Sequence, residues 1–242
     1  MNQKKPLSYS SLKEFAKSPA HYLAYLNREK KSTPAMELGS AIHMSVLEPD
    51  KFKERYYFTE HRKNTKAYKE LVATNEKMTF LTQSDWSTVN KVSSAVLNHD
   101  LARDLIKGAD RLEHWVESEI DGVPFKGILD VHGVNYIADL KTTRDGSPNE
   151  FTRSAYNLQY HLQAAVYCEL TGLKDYWIIS AETSSPHNVT PYLVDANYID
   201  MGRELLHKLI QEYKDWDGKW SGYENSLNDG DFFILQPPAW AK

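Results

Sequence analysis

Residues 125–143 read FKGILDVHGVNYIADLKTT and give the clearest structural signal in the chain. Two apolar runs, residues 123–131 and 136–140, alternate with polar side chains and are separated by four residues. Alternation with a period of two is typical of β-strands, and so short a gap predicts a hairpin. Each predicted strand carries one acid near its end, Asp130 in the first and Asp139 in the second.

The number of residues in the hairpin loop determines which way these acids point. A loop with an even number of residues, which we expect to pair Val131 with Tyr136, places Asp130, Asp139 and Lys141 on one face of the sheet. Asp130 then lies diagonally across from Asp139, at roughly 7–8 Å between Cα atoms. Two carboxylates at that separation can converge on one divalent cation, whereas an odd loop would separate them.

Composition predicts a globular, cytoplasmic protein with a single domain over residues 1–242. The chain is 41% hydrophobic and 26% charged, and no run of about 18 apolar residues predicts a membrane span. Its one cysteine, Cys168, excludes an intramolecular disulfide, a zinc site made of cysteines and a cysteine-ligated iron–sulfur cluster. Cys168 is most simply a small core residue.

Charge is distributed unevenly along the chain. Residues 1–77 hold 15 Lys and Arg against 9 Asp and Glu, while the remainder holds 14 against 24. A basic first third beside an acidic remainder fits a phosphate-contacting surface next to a carboxylate-rich metal site. Ordinary solvated faces explain the same distribution equally well.

The rest of the chain predicts helices around the sheet. Pro19 interrupts a first helix over residues 7–26, in which Ser11 and Glu14 have capping-box spacing. The polar segment 51–78 is interpreted as a mobile arm or a helix along DNA. The other predicted elements are helices over residues 36–47, 84–105 (divided near Asn98), 154–170 and 197–216, and strands from residue 112 to an Asp121–Gly122 turn and over residues 176–181 and 190–194.

This order of elements predicts an α/β (α+β) fold, a central mixed β-sheet flanked by helices. We divide the single domain into a mainly helical part (residues 1–110), a catalytic core (111–217) and an irregular tail (218–242). In the tail, Trp220, Phe232, Phe233, Leu235 and Trp240 are expected to pack onto the body or onto a neighbouring subunit.

The chemistry that these residues suit is phosphodiester hydrolysis with a metal ion. Asp130, Asp139 and the backbone carbonyl of Leu140 offer hard oxygen ligands for Mg²⁺, and Lys141 can orient an attacking water. Asp-x-Lys alone is a common tripeptide, and a surface ladder of salt bridges is the simpler explanation of these charges.

Four ordered motifs make the signal more specific. They are Gly39–x₃–His43, Gly127–x₂–Asp130, Asp139–x–Lys141–Thr142 and Gln163–x₃–Tyr167. In this order the chain resembles the PD-(D/E)xK nucleases, which share a restriction-endonuclease-like core. Within them it resembles the RecE-like phage-type exodeoxyribonucleases, also called exonuclease VIII, which are related to lambda exonuclease and the RecB nuclease domain.

The resemblance implies a role for each motif residue. Asp130 and Asp139 would bind Mg²⁺, for which Mn²⁺ can substitute, and His43 would ligate the ion or lie beside it. Lys141 would position the nucleophile, while Gln163 and Tyr167 would support the site and the substrate backbone. The strand before the motif adds three acids, Glu113, Glu117 and Glu119, of which we choose Glu117 as an extra ligand.

The resemblance also implies a substrate and partners. It implies 5′ to 3′ digestion of one strand of linear double-stranded DNA, a ring-shaped homo-oligomer and a single-strand annealing partner of the RecT type. Cluster-bearing relatives carry a cysteine before an N-terminal proline, where this chain has Ser18 before Pro19, so no iron–sulfur cluster is expected. A restriction-like or structure-specific endonuclease and an inactive DNA-end-binding protein are the alternatives.

Overall fold

A five-stranded mixed β-sheet forms the centre of the protein, for which a computed structural model describes residues 5–29 and 32–223. The strands follow one another in sequence order across the sheet, and the β5–β6 pair is parallel whereas the other three pairs are antiparallel. The predicted mixed sheet is thereby confirmed. Its strands are β3 (Ala109–Ile120), β4 (Val123–Gly133), β5 (Tyr136–Thr143), β6 (Asp175–Glu182) and β7 (Val189–Leu193).

Helices cover both faces of this sheet and enclose two hydrophobic cores. In the described part of the chain they are α1 (Tyr9–Lys17), α2 (Pro19–Asn27), α3 (Pro34–Leu47), α4 (Pro49–Arg55), α5 (Lys66–Thr74), α6 (Gln83–Asn98), α7 (Asp100–Lys107), α8 (Pro148–Asn157), α9 (Tyr160–Thr171) and α10 (Ala196–Asp215). The α9 core contains buried residues of α1, α9 and α10, and the α3 core contains those of α3, α6 and α7.

Proline and capping residues divide the N-terminal helices as their chemistry requires. Pro19 begins α2 because its ring cannot continue α1, and Ser18 caps the new helix by accepting the N–H of His21. The capping box, however, is formed by Ser8 and Ser11, so the predicted Ser11–Glu14 box is wrong. The hydroxyl oxygen of Ser11 accepts a hydrogen bond of 2.8 Å from the Ser8 N–H, which completes the box.

The polar segment 51–78 is neither a free arm nor a single helix. It contains most of α4, the short strand β1 (Tyr56–Thr59) and helix α5, and β1 pairs in parallel with β2 (Thr79–Thr82). Several of its lysines make local ion pairs, such as Lys63 with Asp85 at 3.0 Å. Its basic charge is therefore partly neutralised by neighbouring acids.

The predicted helix over residues 154–170 is in fact two helices. Gln159 lies between α8 and α9 with φ 58°, in the left-handed backbone region that residues other than glycine rarely adopt. Gly172 ends α9 with φ 74°, as a C-terminal glycine is expected to do. The break lets α9 begin at Tyr160 and present Gln163 to the sheet.

Residues 224–242 lie outside the described part, and so does the predicted packing of Phe232, Phe233, Leu235 and Trp240. Within residues 5–29 and 32–223, no helix combines the length and apolar character needed to cross a membrane. The division of the domain into three parts stays a prediction.

Candidate active site

Two tight hairpins set the register of the strands that carry the acids. Asp121 and Gly122 join β3 to β4 with φ values of 51° and 73°, as the two-residue turns that match strand twist require. The loop between β4 and β5 has two residues, Val134 and Asn135, so its predicted even length is confirmed. Gly133 is the last residue of β4, and only a glycine fits there, because an added Cβ would lie 2.3 Å from the Tyr136 ring.

This shorter loop changes the predicted pairing. Val131 lies opposite Ala138 and His132 opposite Ile137, so the predicted pairing of Val131 with Tyr136 is wrong. The same register, continued by one residue, places Asp130 directly opposite Asp139 and not diagonal to it. The two carboxylates therefore start from facing positions on neighbouring strands.

At Asp130, the odd-numbered side chains of strand β4 switch from one face of the sheet to the other. Leu129 is buried in the α9 core and Val131 in the α3 core, although residues two apart in a regular strand share a face. Asp130 lies at this change, and its Oδ2 accepts the N–H of Leu140 on β5 at 2.8 Å. The predicted common face therefore holds for Asp139 and Lys141, while Asp130 reaches between the strands.

One half of the site, which we call the histidine side, is centred on His43 of α3. Its Nε2 lies 2.9 Å from Oδ2 of Asp130 and 2.9 Å from the carbonyl oxygen of Leu140. Its Nδ1 lies 3.4 Å from Oε1 of Glu113 on β3. All three partners are acceptors, so both ring nitrogens carry protons. Burial opposes this charge, but Asp130 and Glu113 outweigh it and raise the pKa of His43 to about 11.

The other half, the lysine side, is centred on Asp139, which is 2% exposed. Its Oδ1 accepts a hydrogen bond of 2.8 Å from Nε2 of Gln163 on α9, and its Oδ2 lies 2.5 Å from Nζ of Lys141. Burial raises the pKa of Asp139 to about 6, although Lys141 opposes the shift. Burial would lower the pKa of Lys141, but Asp139 and Asp130 raise it above its ordinary value. The ammonium group is held 5.0 Å from the centre of the Tyr160 ring.

The two motif glycines allow the helices to approach the sheet. A Cβ on Gly39 of α3 would lie 3.0 Å from Oγ1 of Thr142, and a Cβ on Gly127 of β4 would lie 2.7 Å from Cε1 of Tyr167. Contacts this short leave no space for a methyl group. Each glycine therefore lets a helix that carries motif residues, α3 or α9, lie directly against a strand that carries an acid.

The structure brings together most of the residues predicted for the site. His43, Asp130 and the Leu140 carbonyl meet at one point, Gln163 and Lys141 both contact Asp139, and Tyr167 packs over Gly127. Glu117 is an exception, because it is exposed and lies opposite Lys126, four residue pairs along β3 from Glu113 and Asp130.

Glu113 contacts the site in place of Glu117. It was one of three candidate acids in the sequence, and its place could have been found by counting back from the Asp121–Gly122 turn. Tyr160, which lies beside Lys141, had no sequence signal that distinguished it from a core aromatic residue.

The ligands on the histidine side suit a divalent cation. One atom of each of His43, Glu113 and Asp130 lies within 4.8 Å of the others. Nε2 of His43 faces both Oδ2 of Asp130 and the Leu140 carbonyl oxygen, so two oxygen acceptors converge on the same point. Carboxylate and carbonyl oxygens with one imidazole are ligands that Mg²⁺ and, still better, Mn²⁺ accept.

An open cavity of about 690 Å³ adjoins the histidine side. His43 and Glu113 lie in its wall, together with Thr142 of β5 and with Arg55 and Tyr56 at the junction of α4 and β1. A cavity of this volume is within the range that holds a small-molecule ligand. The metal-ligand candidates are therefore accessible from solvent.

Comparison with known proteins identifies the fold family. Residues 8–220 match the model of a PDDEXK-like domain of unknown function (DUF3799). No curated protein matches the chain. A candidate exonuclease from Eubacterium rectale has a similar solved structure, with a TM-score of 0.60 and 16% identity over 98% of this chain and 92% of that one.

Two other solved structures match less well. A phage-related exonuclease from Haemophilus somnus 129PT has a TM-score of 0.38 and 15% identity, over 86% of this chain and 96% of that one. The structure of LHK-Exo in complex with dAMP has a TM-score of 0.40 and 15% identity, over 86% and 90%. Because the DUF3799 model covers most of its length, the chain belongs to this family of PDDEXK-like domains.

Proposed function

We propose that this protein is a Mg²⁺-dependent exodeoxyribonuclease that digests one strand of linear double-stranded DNA, in the 5′ to 3′ direction. The observation that carries the proposal is the meeting of Asp130, the Leu140 carbonyl and Nε2 of His43 at one point, beside the buried Asp139 and its ion pair with Lys141. A surface salt-bridge ladder would not need a 2% exposed carboxylate or a histidine enclosed by three acceptors.

Each side chain has a distinct task in this proposal. When bound, a divalent cation supplies a hydroxide near neutral pH and neutralises charge on the phosphate. Asp130, Asp139, the Leu140 carbonyl and His43 would hold it. Lys141 stays protonated at neutral pH, so it orients the attacking water and favours its deprotonated form electrostatically.

Supporting residues keep the lysine side in place. The Gln163 amide fixes the orientation of the Asp139 carboxylate through a buried hydrogen bond. Tyr167 packs against the β4 backbone at Gly127, three residues before Asp130. Both contacts restrict how far the acids can move, which preserves the geometry that an in-line attack needs.

The proposed substrate and partners follow the family resemblance. A ring-shaped homo-oligomer would retain duplex DNA, and a single-strand annealing protein of the RecT type would bind the strand left behind for recombination. The net positive charge of residues 1–77 supports contact with phosphates, and the cavity beside His43 offers space for the end of a strand.

A comparison of linear and closed circular duplexes tests the proposed activity. Linear DNA with and without 5′-phosphates and covalently closed circles of the same sequence are incubated with Mg²⁺ or EDTA. We expect Mg²⁺-dependent release of nucleotides from linear DNA, intact circles, and no release by Asp139→Ala. Cleavage of circles at a similar rate would instead make the protein an endonuclease, and binding of DNA ends without turnover in any divalent metal would make it an inactive end-binding protein.

A further inference from the structure

The contacts of His43 divide its two ring nitrogens between two tasks. Nε2 faces Asp130 and the Leu140 carbonyl, whereas Nδ1 faces only Glu113 among its charged partners in the described residues. A histidine that binds a metal usually donates its other ring N–H to a carboxylate or carbonyl, which fixes the tautomer and the ring orientation. Glu113 occupies the position of such a partner.

We propose that Glu113 is the positioning residue of His43, which holds Nδ1–H so that Nε2 is directed at the metal position between Asp130 and Leu140. This inference rests on the proposed function, since it assumes that a divalent cation binds at that point. It adds to the metal site a residue that none of the four sequence motifs contains.

The backbone of β3 has an unusual conformation at Glu113. Leu112 pairs with Val131 and His114 pairs with Leu129, so Glu113 lies opposite Asp130, where β4 changes the side that it faces. Glu113 itself has φ 48°, which a glutamate adopts only at a cost in free energy. No turn requires this conformation, because the strand continues on both sides.

A plain surface ion pair does not account for this arrangement. The side chains of Glu113 and His43 are 27% and 28% exposed, and ion pairs near solvent contribute little to stability. The small stability that this ion pair contributes does not explain why the strained backbone at Glu113 is maintained. The carboxylate therefore has another role. Control of the histidine that faces the metal position is the role that the contacts support.

Substitution by glycine separates this role from a structural one. Glycine adopts a positive φ without strain, so Glu113→Gly removes the carboxylate while it relaxes the backbone. We expect its melting temperature in EDTA to equal or exceed that of the unmodified protein. Its Kd for Mn²⁺, measured by calorimetry without DNA, is expected to be 10- to 100-fold weaker. An unchanged Kd, within twofold, would overturn the proposal.

Two matched variants complete the test. Glu113→Gln keeps an oxygen that accepts the Nδ1–H bond, so we expect it to bind Mn²⁺ at least threefold more tightly than Glu113→Gly. Glu117→Gln removes a charge from the same strand without contact with His43, and its Kd is expected to stay within twofold. If Glu113→Gln binds as weakly as Glu113→Gly, Glu113 acts through its charge as a ligand, and the positioning role is wrong.

The same measurements distinguish this proposal from the proposed function. If the unmodified protein degrades linear DNA while Glu113→Gly binds Mn²⁺ normally, only the role of Glu113 fails. If the unmodified protein binds Mn²⁺ and Glu113→Gly does not, but neither form degrades DNA, the role of Glu113 stands and the nuclease function fails.

Discussion

The histidine side and the lysine side flank the same strand, β5, but they manage charge in opposite ways. On the histidine side, two carboxylates and a carbonyl surround one imidazolium group that is partly exposed. On the lysine side, one fully buried carboxylate is matched by one ammonium group and one amide. The histidine side therefore has more acceptor atoms than positive groups, and its imidazolium can lose a proton. On the lysine side, each charge is paired.

This difference indicates separate tasks for the two sides. His43, Asp130 and the Leu140 carbonyl would hold a divalent cation in place of the Nε2 proton, which would be released to solvent. On the lysine side, the Lys141 ammonium group is paired with Asp139 and has no acceptor atom to offer a cation. We therefore expect substitutions on the histidine side to change metal binding, and substitution of Lys141 to change the chemical step.

The largest effect is expected for Lys141→Met. Loss of a group that positions the nucleophile typically lowers a rate by 10²- to 10⁴-fold, so we expect a decrease of about 10³-fold in the hydrolysis of linear DNA. Affinity for Mn²⁺ should be equal or tighter, because a positive charge near the metal position is removed. Single-turnover kinetics with calorimetry on the same samples measure both. Weaker metal binding with a normal rate at saturating Mn²⁺ would show that the two sides do not divide the work in this way.

A smaller effect is expected for His43→Ala, and it should fall on the affinity for Mn²⁺ and not on the rate of hydrolysis. The variant lacks a ligand and leaves Asp130 and Glu113 without their shared partner, so we expect Mn²⁺ to bind at least about 100-fold more weakly. At a concentration of Mn²⁺ that saturates the variant, its rate should recover to within about tenfold of the unmodified protein. Calorimetry and a titration of rate against Mn²⁺ check this. Full affinity for Mn²⁺ would exclude His43 as a ligand.

Gly127→Ala tests how closely the lysine side is packed. The added Cβ would lie 2.7 Å from the Tyr167 ring, which is itself buried, so we expect a loss of about 1–3 kcal/mol in the free energy of unfolding. In a Tyr167→Ala background the same change should cost less than about 0.5 kcal/mol, because the ring is absent. Urea denaturation of the four proteins gives the coupling energy. Equal costs in both backgrounds would mean that the clash lies elsewhere.

The sequence predicts the sheet well, because its signals are local. Alternating apolar residues and the Asp121–Gly122 turn locate the strands, and Pro19 locates the first helix boundary. Its errors have tertiary causes. The loop after β4 has two residues because His132 and Gly133 remain in the strand, where Gly133 packs against the Tyr136 ring, and the helix is divided at Gln159, which adopts a left-handed conformation that glutamine does not signal.

The candidate site shows the same division between local and tertiary information. Its motif residues could be named from their spacing, and an even hairpin loop could be predicted. The sequence does not predict that β4 changes face at Asp130, nor that Glu113, on the neighbouring strand, has a positive φ. The choice between Glu113 and Glu117 was nevertheless open to argument: a two-residue turn after Ile120 pairs Glu113 with Asp130 and Glu117 with Lys126.

His43 also makes the stability of the metal-free protein depend on pH. Its pKa is raised from 6.5 to about 11 in the folded protein, so the stabilisation is fully present below pH 6.5 and is lost as pH rises towards 11. In EDTA, the unfolding free energy of the unmodified protein should fall between pH 7 and 10, relative to His43→Gln, by up to about 1 kcal/mol per pH unit. Urea denaturation at each pH measures the difference, in which groups common to both proteins cancel. Saturating Mn²⁺ should flatten the slope, because the cation takes the place of the proton, and identical slopes for both proteins in EDTA would contradict a charged His43 in the metal-free site.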